Sequence, residues 1–192
     1  MRTITLIYDG TFNTYRWLKA MMWARNEFHD LGYKIKYASI FDYVPYPKST
    51  KVPYEGIKLK WDTIGRFDIV FLAFHHSQSL IGQNSEKRIA LVKFLKQKCK
   101  LLCWLDTADS TGTCLFDVLP YVDLYFKKQL LKDTNLYTNE FYCARLYSDY
   151  YHQKLGLTDE SLASIHYHTA LKEYLHKLRV SWNVAFYDRM GG

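Results

Sequence analysis

The sequence predicts an α/β fold: a single Rossmann-like domain whose mostly parallel sheet of about five or more strands carries helices on both faces. Three observations predict it. Short apolar runs recur along the chain, separated by stretches with helical spacing of apolar residues, as a parallel sheet buried on both faces requires. Each of the clearest runs ends in a cluster of small polar residues. The length of 192 residues suffices for one core and falls short of two full α/β domains.

The first strand is Ile4 to Tyr8, closed by Asp9-Gly10 and a Thr/Asn-rich turn in which Asn13 or Thr14 is placed to cap a helix. That helix carries Trp17, Leu18, Met21, Met22, Phe28 and Leu31 on one broad face and stops at Gly32. Tyr33 to Ile40 reads as the second strand. Periodicity is then lost over a Pro/Tyr-rich loop at 41–60, with Pro45, Pro47, Pro53 and Gly56. Asp68 opens the most apolar strand, Ile69 to Phe74, which ends in His75, His76, Ser77, Gln78 and Ser79. A helix from about Ser85 to Lys98 turns Ile89, Leu91, Val92 and Leu95 inward and its Lys and Arg residues outward.

The next strand, Lys100 to Leu105, leads into Asp106-Thr107-Ala108-Asp109-Ser110-Thr111-Gly112-Thr113, the most polar small-residue segment of the chain. One helical turn over Leu115 to Leu119 precedes Pro120, and Val122 to Phe126 is a short fifth strand followed by Lys127 and Lys128. Residues 1–160 thus form the Rossmann-like domain. Residues 161–192 form a C-terminal helical segment, amphipathic from Ser161 to about Tyr187.

Composition excludes several classes. Hydrophobic residues at 48% and charged residues at 23%, with 9 Gly and 4 Pro, exclude collagen-like, low-complexity and wholly disordered chains. The runs Ile69 to Phe74 and Leu101 to Leu105 are far shorter than the roughly 20 residues that cross a bilayer. No signal-peptide pattern precedes the first strand, so the expected location is the cytoplasm. Cys99, Cys103, Cys114 and Cys143 form no CxxC pair or zinc spacing and read as buried reduced thiols.

A net charge of +7 favours anionic partners, and 17 tyrosines suit sugar stacking or a membrane interface. Lys93, Lys96, Lys98 and Lys100 read as one solvated helix face, so nucleic acid is not an expected partner.

In an open parallel sheet, ligands bind beyond the carboxyl ends of the strands, where strand order reverses. The three polar clusters fall on that edge and supply the candidates. His75 and Asp109 are the catalytic candidates, as general base or acceptor-facing group. Asp9, Gly10, Thr11, Asn13, His76, Asp106, Ser110, Gly112 and Thr113 are the substrate-binding candidates.

Neither GxGxxG nor GxxxxGK[ST] occurs, so a dinucleotide or Walker site is not expected; no metal and no cofactor is assigned. His166 and His168, two apart on a predicted helix, point apart and make no metal pair. A receiver domain would need a carboxylate where His75 stands, and a flavodoxin-like FMN site would need more of a phosphate loop than Thr11 and Thr14 supply.

These residues resemble the N-terminal, acceptor-side half of GT-B-type glycosyltransferases, especially bacterial enzymes of surface-polysaccharide biosynthesis. The likeness rests on Asp9-Gly10-Thr11, on Asp68 to Phe74 with His75-His76, and on Asp106-x-x-Asp109-Ser110-x-Gly112-Thr113 running to Leu119-Pro120-Tyr121-Val122-Asp123. Lys127-Lys128-Gln129 and the stretch Lys177 to Tyr187, with Val180-Ser181-Trp182-Asn183, complete it.

The resemblance implies transfer of a sugar from a nucleotide-sugar donor to a polysaccharide or lipid-linked acceptor, without metal. It implies a donor-binding second half, as a further domain or a second chain, toward which 161–192 leads, and no independent catalysis without it. By the same resemblance Gly10 and Thr11 approach the donor diphosphate, His75 or Asp109 faces the acceptor, and the positive charge suits peripheral contact with an anionic membrane at its inner face. The other reading is a stand-alone flavodoxin-like module that binds a phosphorylated ligand or a protein without catalysis.

Overall fold

The computed structural model describes residues 1–39, 57–58, 65–159 and 169–182. Its centre is an all-parallel sheet of seven strands in the order β3-β2-β1-β4-β5-β6-β7. The strands are β1 Arg2–Tyr8, β2 Tyr33–Ser39, β3 Ile57–Lys58, β4 Phe67–Phe74, β5 Cys99–Asp106, β6 Leu124–Lys127 and β7 Leu178–Val180. The expected Rossmann-like domain is therefore formed, with more strands than its five clearest apolar runs.

Alternation along the strands builds two cores. On one face Val70, Leu72 and Phe74 of β4 and Leu102 and Trp104 of β5 meet α4 (Ser85–Lys96) through Leu91, Val92 and Leu95. The other face joins Ile4, Leu6 and Tyr8 of β1, Ala73 and Leu105 to α1 (Phe12–Trp23) through Trp17, Leu18 and Met21. Burial of both faces explains the unbroken apolar runs of the central strands.

The helical stretch after β1 is not one helix. It breaks at Ala24 into α1 and a short α2 (Arg25–Asp30), and Gly32 at φ +83 supplies the left-handed stop. The break takes Leu31 out of phase, so it is 73% exposed and leaves the predicted apolar face. α4 likewise departs from prediction at one position. Arg88 is buried, its guanidinium held by Asp117 (Nη2 to Oδ2, 2.5 Å) and donating to the carbonyls of Ile81 and Gly82 at 2.9 and 2.7 Å.

The largest correction concerns the C-terminal segment. A helix was expected through Ser161 to Tyr187, yet Lys172–Lys177 is a 3₁₀ turn and Leu178–Val180 is strand β7, paired in parallel with Tyr125 to Lys127. Sheet pairing overrides local helical spacing here. Lys177 fixes the entry to the strand by donating to the carbonyls of Leu119, Pro120 and Val122 at 3.0, 3.3 and 2.8 Å. Within the Pro/Tyr-rich loop, Ile57–Lys58 pairs with Ala38 and Ser39 as β3. The rest of 41–60, His166, His168 and the chain beyond Trp182 lie outside the described residues.

The cysteines are unbridged thiols, Cys103, Cys114 and Cys143 buried and Cys99 half-buried. Burial pushes the Cys99 thiol up to about 11 and Cys103 up to about 12, which leaves both protonated and unreactive. Among the described residues no helix is long and apolar enough to cross a membrane.

Candidate functional site at the carboxyl edge of the sheet

Strand order reverses between β1 and β4, so the crevice expected in this architecture opens beyond Tyr8 and Phe74. Asp9 sets its floor. The buried carboxylate accepts the backbone N–H of His75 at 2.6 Å and of Thr11 at 2.9 Å, and the Thr14 hydroxyl at 3.2 Å. It thereby ties the end of β1 to the end of β4.

Burial raises the Asp9 carboxyl above its ordinary value, against the opposing pull of those hydrogen bonds from His75, Thr11 and Thr14. Thr11, rather than Asn13 or Thr14, caps α1: its hydroxyl accepts from the Thr14 N–H at 3.3 Å. The β1–α1 turn, which the resemblance directs at a diphosphate, thus directs the Thr11 N–H at the Asp9 carboxyl.

Above this floor Asn13 Nδ2 lies 3.3 Å from His75 Nε2 and 3.4 Å from Gln78 Oε1. Ser77 presents its backbone N–H and its hydroxyl to His75 Nδ1, each at 3.3 Å. Burial, with a smaller contribution from neighbouring His76, lowers the His75 imidazole from 6.5 to about 4, so the ring is neutral near pH 7.

Each tautomer satisfies part of the contacts. With the proton on Nδ1, Ser77 Oγ accepts it and Nε2 keeps a lone pair facing the Asn13 amide, at the cost of the Ser77 N–H contact. With the proton on Nε2, the Ser77 N–H serves Nδ1 and Asn13 must turn its oxygen to the ring. His76 stacks on His75 with centroids 4.8 Å apart, and its own buried Nδ1 has no hydrogen-bond partner among the described residues.

The turn carrying these histidines is held from behind. Gly82, in the short helix α3 (Leu80–Gln83), lies so close that a Cβ there would come within 2.0 Å of the His75 carbonyl oxygen. Arg88, by gripping the carbonyls of Ile81 and Gly82, fixes α3 against that carbonyl.

The β5 rim is organised around a buried ion pair. Lys127 Nζ lies 3.1 Å from Asp106 Oδ2 and donates to the carbonyls of Ala108 and Thr113 at 3.2 and 2.8 Å. The Tyr125 hydroxyl donates to the same carboxylate oxygen at 2.5 Å, and the Ala108 N–H to the other at 2.8 Å. Asp106 and Thr113, both buried, therefore shape the 107–114 loop from inside.

Asp109 faces solvent, with its carboxylate 2.9 Å from Lys128 Nζ and its carbonyl accepting from Gln129 at 2.8 Å. Ser110 accepts the Gly112 N–H at 3.2 Å. Gly112 is backed by the turn at Cys143 and Ala144, which both adopt positive φ, and a Cβ at 112 would come within 2.5 Å of the Ala144 carbonyl oxygen. Between these segments lies a cavity of about 70 Å³ lined in part by Thr111, Cys114, Tyr137 and Glu140. β4 and β5 pair in parallel with Phe74 opposite Asp106, which places the β4 and β5 rims along one edge.

The structure thus gathers Asp9, Thr11, Asn13 and His75 at the switch point and sets Asp106, Asp109 and Thr113 beside them. Sequence reasoning missed Gln78 as a site residue, the Arg88–Asp117 support and the inward Lys127. Tyr125 and Lys127 carried a signal: two apart on a strand, they share one face and turn toward Asp106 together. Among the described residues no three His, Cys, Asp or Glu side chains gather as a metal site.

An all-parallel Rossmann-like domain with a polar crevice at its switch point is the class that fold and site define. Comparison of the chain with protein families, with curated proteins and with solved structures finds no match in any of the three.

Proposed function

We propose that this domain is the acceptor-side half of a glycosyltransferase, moving a sugar from a nucleotide-sugar donor to a glycan or lipid-linked acceptor together with a donor-binding domain or second chain. The observation that carries the reading is the half-buried His75 imidazole at the switch-point crevice, in contact with the Asn13 amide, which also reaches Gln78. Amides and imidazole recognise sugar hydroxyls by paired hydrogen bonding, and an unprotonated His75 Nε2 is able to take the proton of an attacking hydroxyl.

An anionic donor diphosphate beside the ring would raise its proton affinity towards the working pH, so the base would be strongest when the donor is bound. Asp109, 81% exposed and paired with Lys128, is the weaker choice for base and suits contact with acceptor hydroxyls. The Asp9 carboxyl already engages the Thr11 N–H of the β1–α1 turn, so the diphosphate contacts are assigned mainly to the donor-binding half.

The test is turnover by the reconstituted pair. His75→Ala should lower it by roughly two to four orders of magnitude if His75 is the base, and unchanged turnover would remove His75 from that role.

A flavodoxin-like module is the second reading. Leaving out the two-residue β3, the remaining strands run in the flavodoxin-type order. The internal carboxylate in the first turn weighs against the FMN phosphate that this reading needs there.

A further inference from the structure

We infer that the outer face of α5 (Leu146–Leu155) is a stacking platform for an uncharged glycan chain, an inference that rests on the acceptor-side reading above. None of the residues of this helix is buried, whereas a helix that merely covers a domain buries an apolar stripe. Tyr147, Tyr150 and Tyr151, at positions i, i+3 and i+4, share one face and are 54%, 51% and 48% exposed.

Their rings are held. Arg145 Nη1 donates to the Tyr147 hydroxyl at 2.7 Å, and Lys154 Nζ to the Tyr150 hydroxyl at 2.7 Å. Tyr150 and Tyr151 meet edge to face with centroids 5.3 Å apart. The opposite side anchors the helix. His152 stacks on Tyr142 at 3.9 Å, and Asp149 accepts the Tyr142 N–H at 3.0 Å. Little ordering cost is left for a ligand to meet, which favours binding to a preset surface.

Charge selects the occupant. Arg145 and Lys154 are offset in part by Asp149, far from the clusters of four to eight Lys and Arg that mark anionic lipid recognition. An apolar ring face rimmed by hydroxyls and hydrogen-bonding heads matches sugar rings, which present C–H faces and hydroxyl edges.

Position points the same way. The helix begins next to Ala144, the residue that backs Gly112, so the tyrosine row leads outward from the 109–113 rim. From Tyr147 to Tyr151 the row extends about 6 Å along the helix axis, and Lys154 carries a hydrogen-bonding head about 4 Å further on.

The test is a two-dimensional amide NMR titration of the full chain with cellotriose and with chitotriose, beside co-sedimentation with phosphatidylcholine vesicles with and without phosphatidylglycerol. Expected are shifts along Tyr147 to Lys154 with either trisaccharide, weakened roughly three- to tenfold by Tyr150→Ala or Tyr151→Ala and kept by Tyr150→Phe. Because these side chains are exposed, circular dichroism should stay unchanged.

Signals of α5 that stay still with both sugars overturn the inference, and so does vesicle binding lost in Tyr150→Ala without any sugar response. Shifts on α5 without shifts at Asn13 and His75 support the platform and count against the acceptor-side reading. Shifts at Asn13 and His75 alone overturn the platform and leave that reading standing.

Discussion

Replacing Lys127 by Met removes the charge that compensates Asp106 while keeping the length of the stem. In the wild-type protein the ammonium is fully buried and has three partners, the Asp106 carboxylate and the carbonyls of Ala108 and Thr113. The variant leaves a carboxylate stranded in the interior, with only Tyr125 and the Ala108 N–H still directed at it.

Breaking a buried pair from one side costs about 3–5 kcal/mol, and the two carbonyls that lose their donor belong within that range. With a slope of about 2 kcal/mol per molar urea, the unfolding midpoint should fall by about 2 M. Urea melts followed by tryptophan fluorescence and far-ultraviolet circular dichroism read this directly.

Asp106→Asn combined with Lys127→Met should recover at least half the loss, because no charge is then left stranded. A Lys127→Met midpoint within about 0.5 M of wild type would refute the reasoning, since it would mean that water reaches the pair.

Gly82→Ala should cost about 1–3 kcal/mol and move the His75 ring signals in NMR, because the new methyl group collides with the His75 carbonyl; unmoved ring signals would dissociate α3 from the site. Wild-type stability relative to His75→Gln should be fully present above pH 6.5 and be lost as the pH falls toward about 4, since the folded ring resists the proton that the unfolded ring accepts. At roughly 1.4 kcal/mol per pH unit the full effect is about 3 kcal/mol, and screening at the partly open ring reduces it to about 1–2 kcal/mol; a pH-independent gap would count against a desolvated imidazole. For Asp9 the sign is opposite: its raised folded value means stability falls as pH rises through that value, so the cost of Asp9→Asn should shrink with rising pH, and a constant gap in urea melts would contradict this.

The sequence made the sheet legible because each central strand is apolar on both faces and ends in a polar cluster. Tyr8, Phe74 and Leu105 each precede a rim segment that the structure sets on one edge. Less legible were features that depend on partners distant along the chain. Leu178 to Val180 reads as helix until β6 offers an edge to pair with. Arg88 reads as a surface residue until Asp117, on a segment 29 residues away, turns it inward.

The site was legible as a set of rim residues and not as a division of labour. Asp9, Thr11 and Asp106 carry the polar chemistry expected of ligand contacts, but burial directs it to backbone groups. Asn13, His75 and Asp109 keep part of theirs for the crevice. Only the depth of each side chain separates the two groups, and depth follows from packing rather than from residue type.

The central claim is that the crevice between β1 and β4 faces sugar chemistry while the first turn already directs its Thr11 N–H to the Asp9 carboxyl. The most direct measurement is an NMR titration of His75 and Asn13 side-chain signals with cellotriose and chitotriose as acceptor glycans, with FMN and NAD in parallel. The account predicts saturable shifts of the His75 ring and the Asn13 amide with an acceptor glycan, and still signals with FMN and NAD. Saturable FMN or NAD binding at the Thr11 to Thr14 turn, or His75 and Asn13 signals unmoved by either glycan, would contradict it.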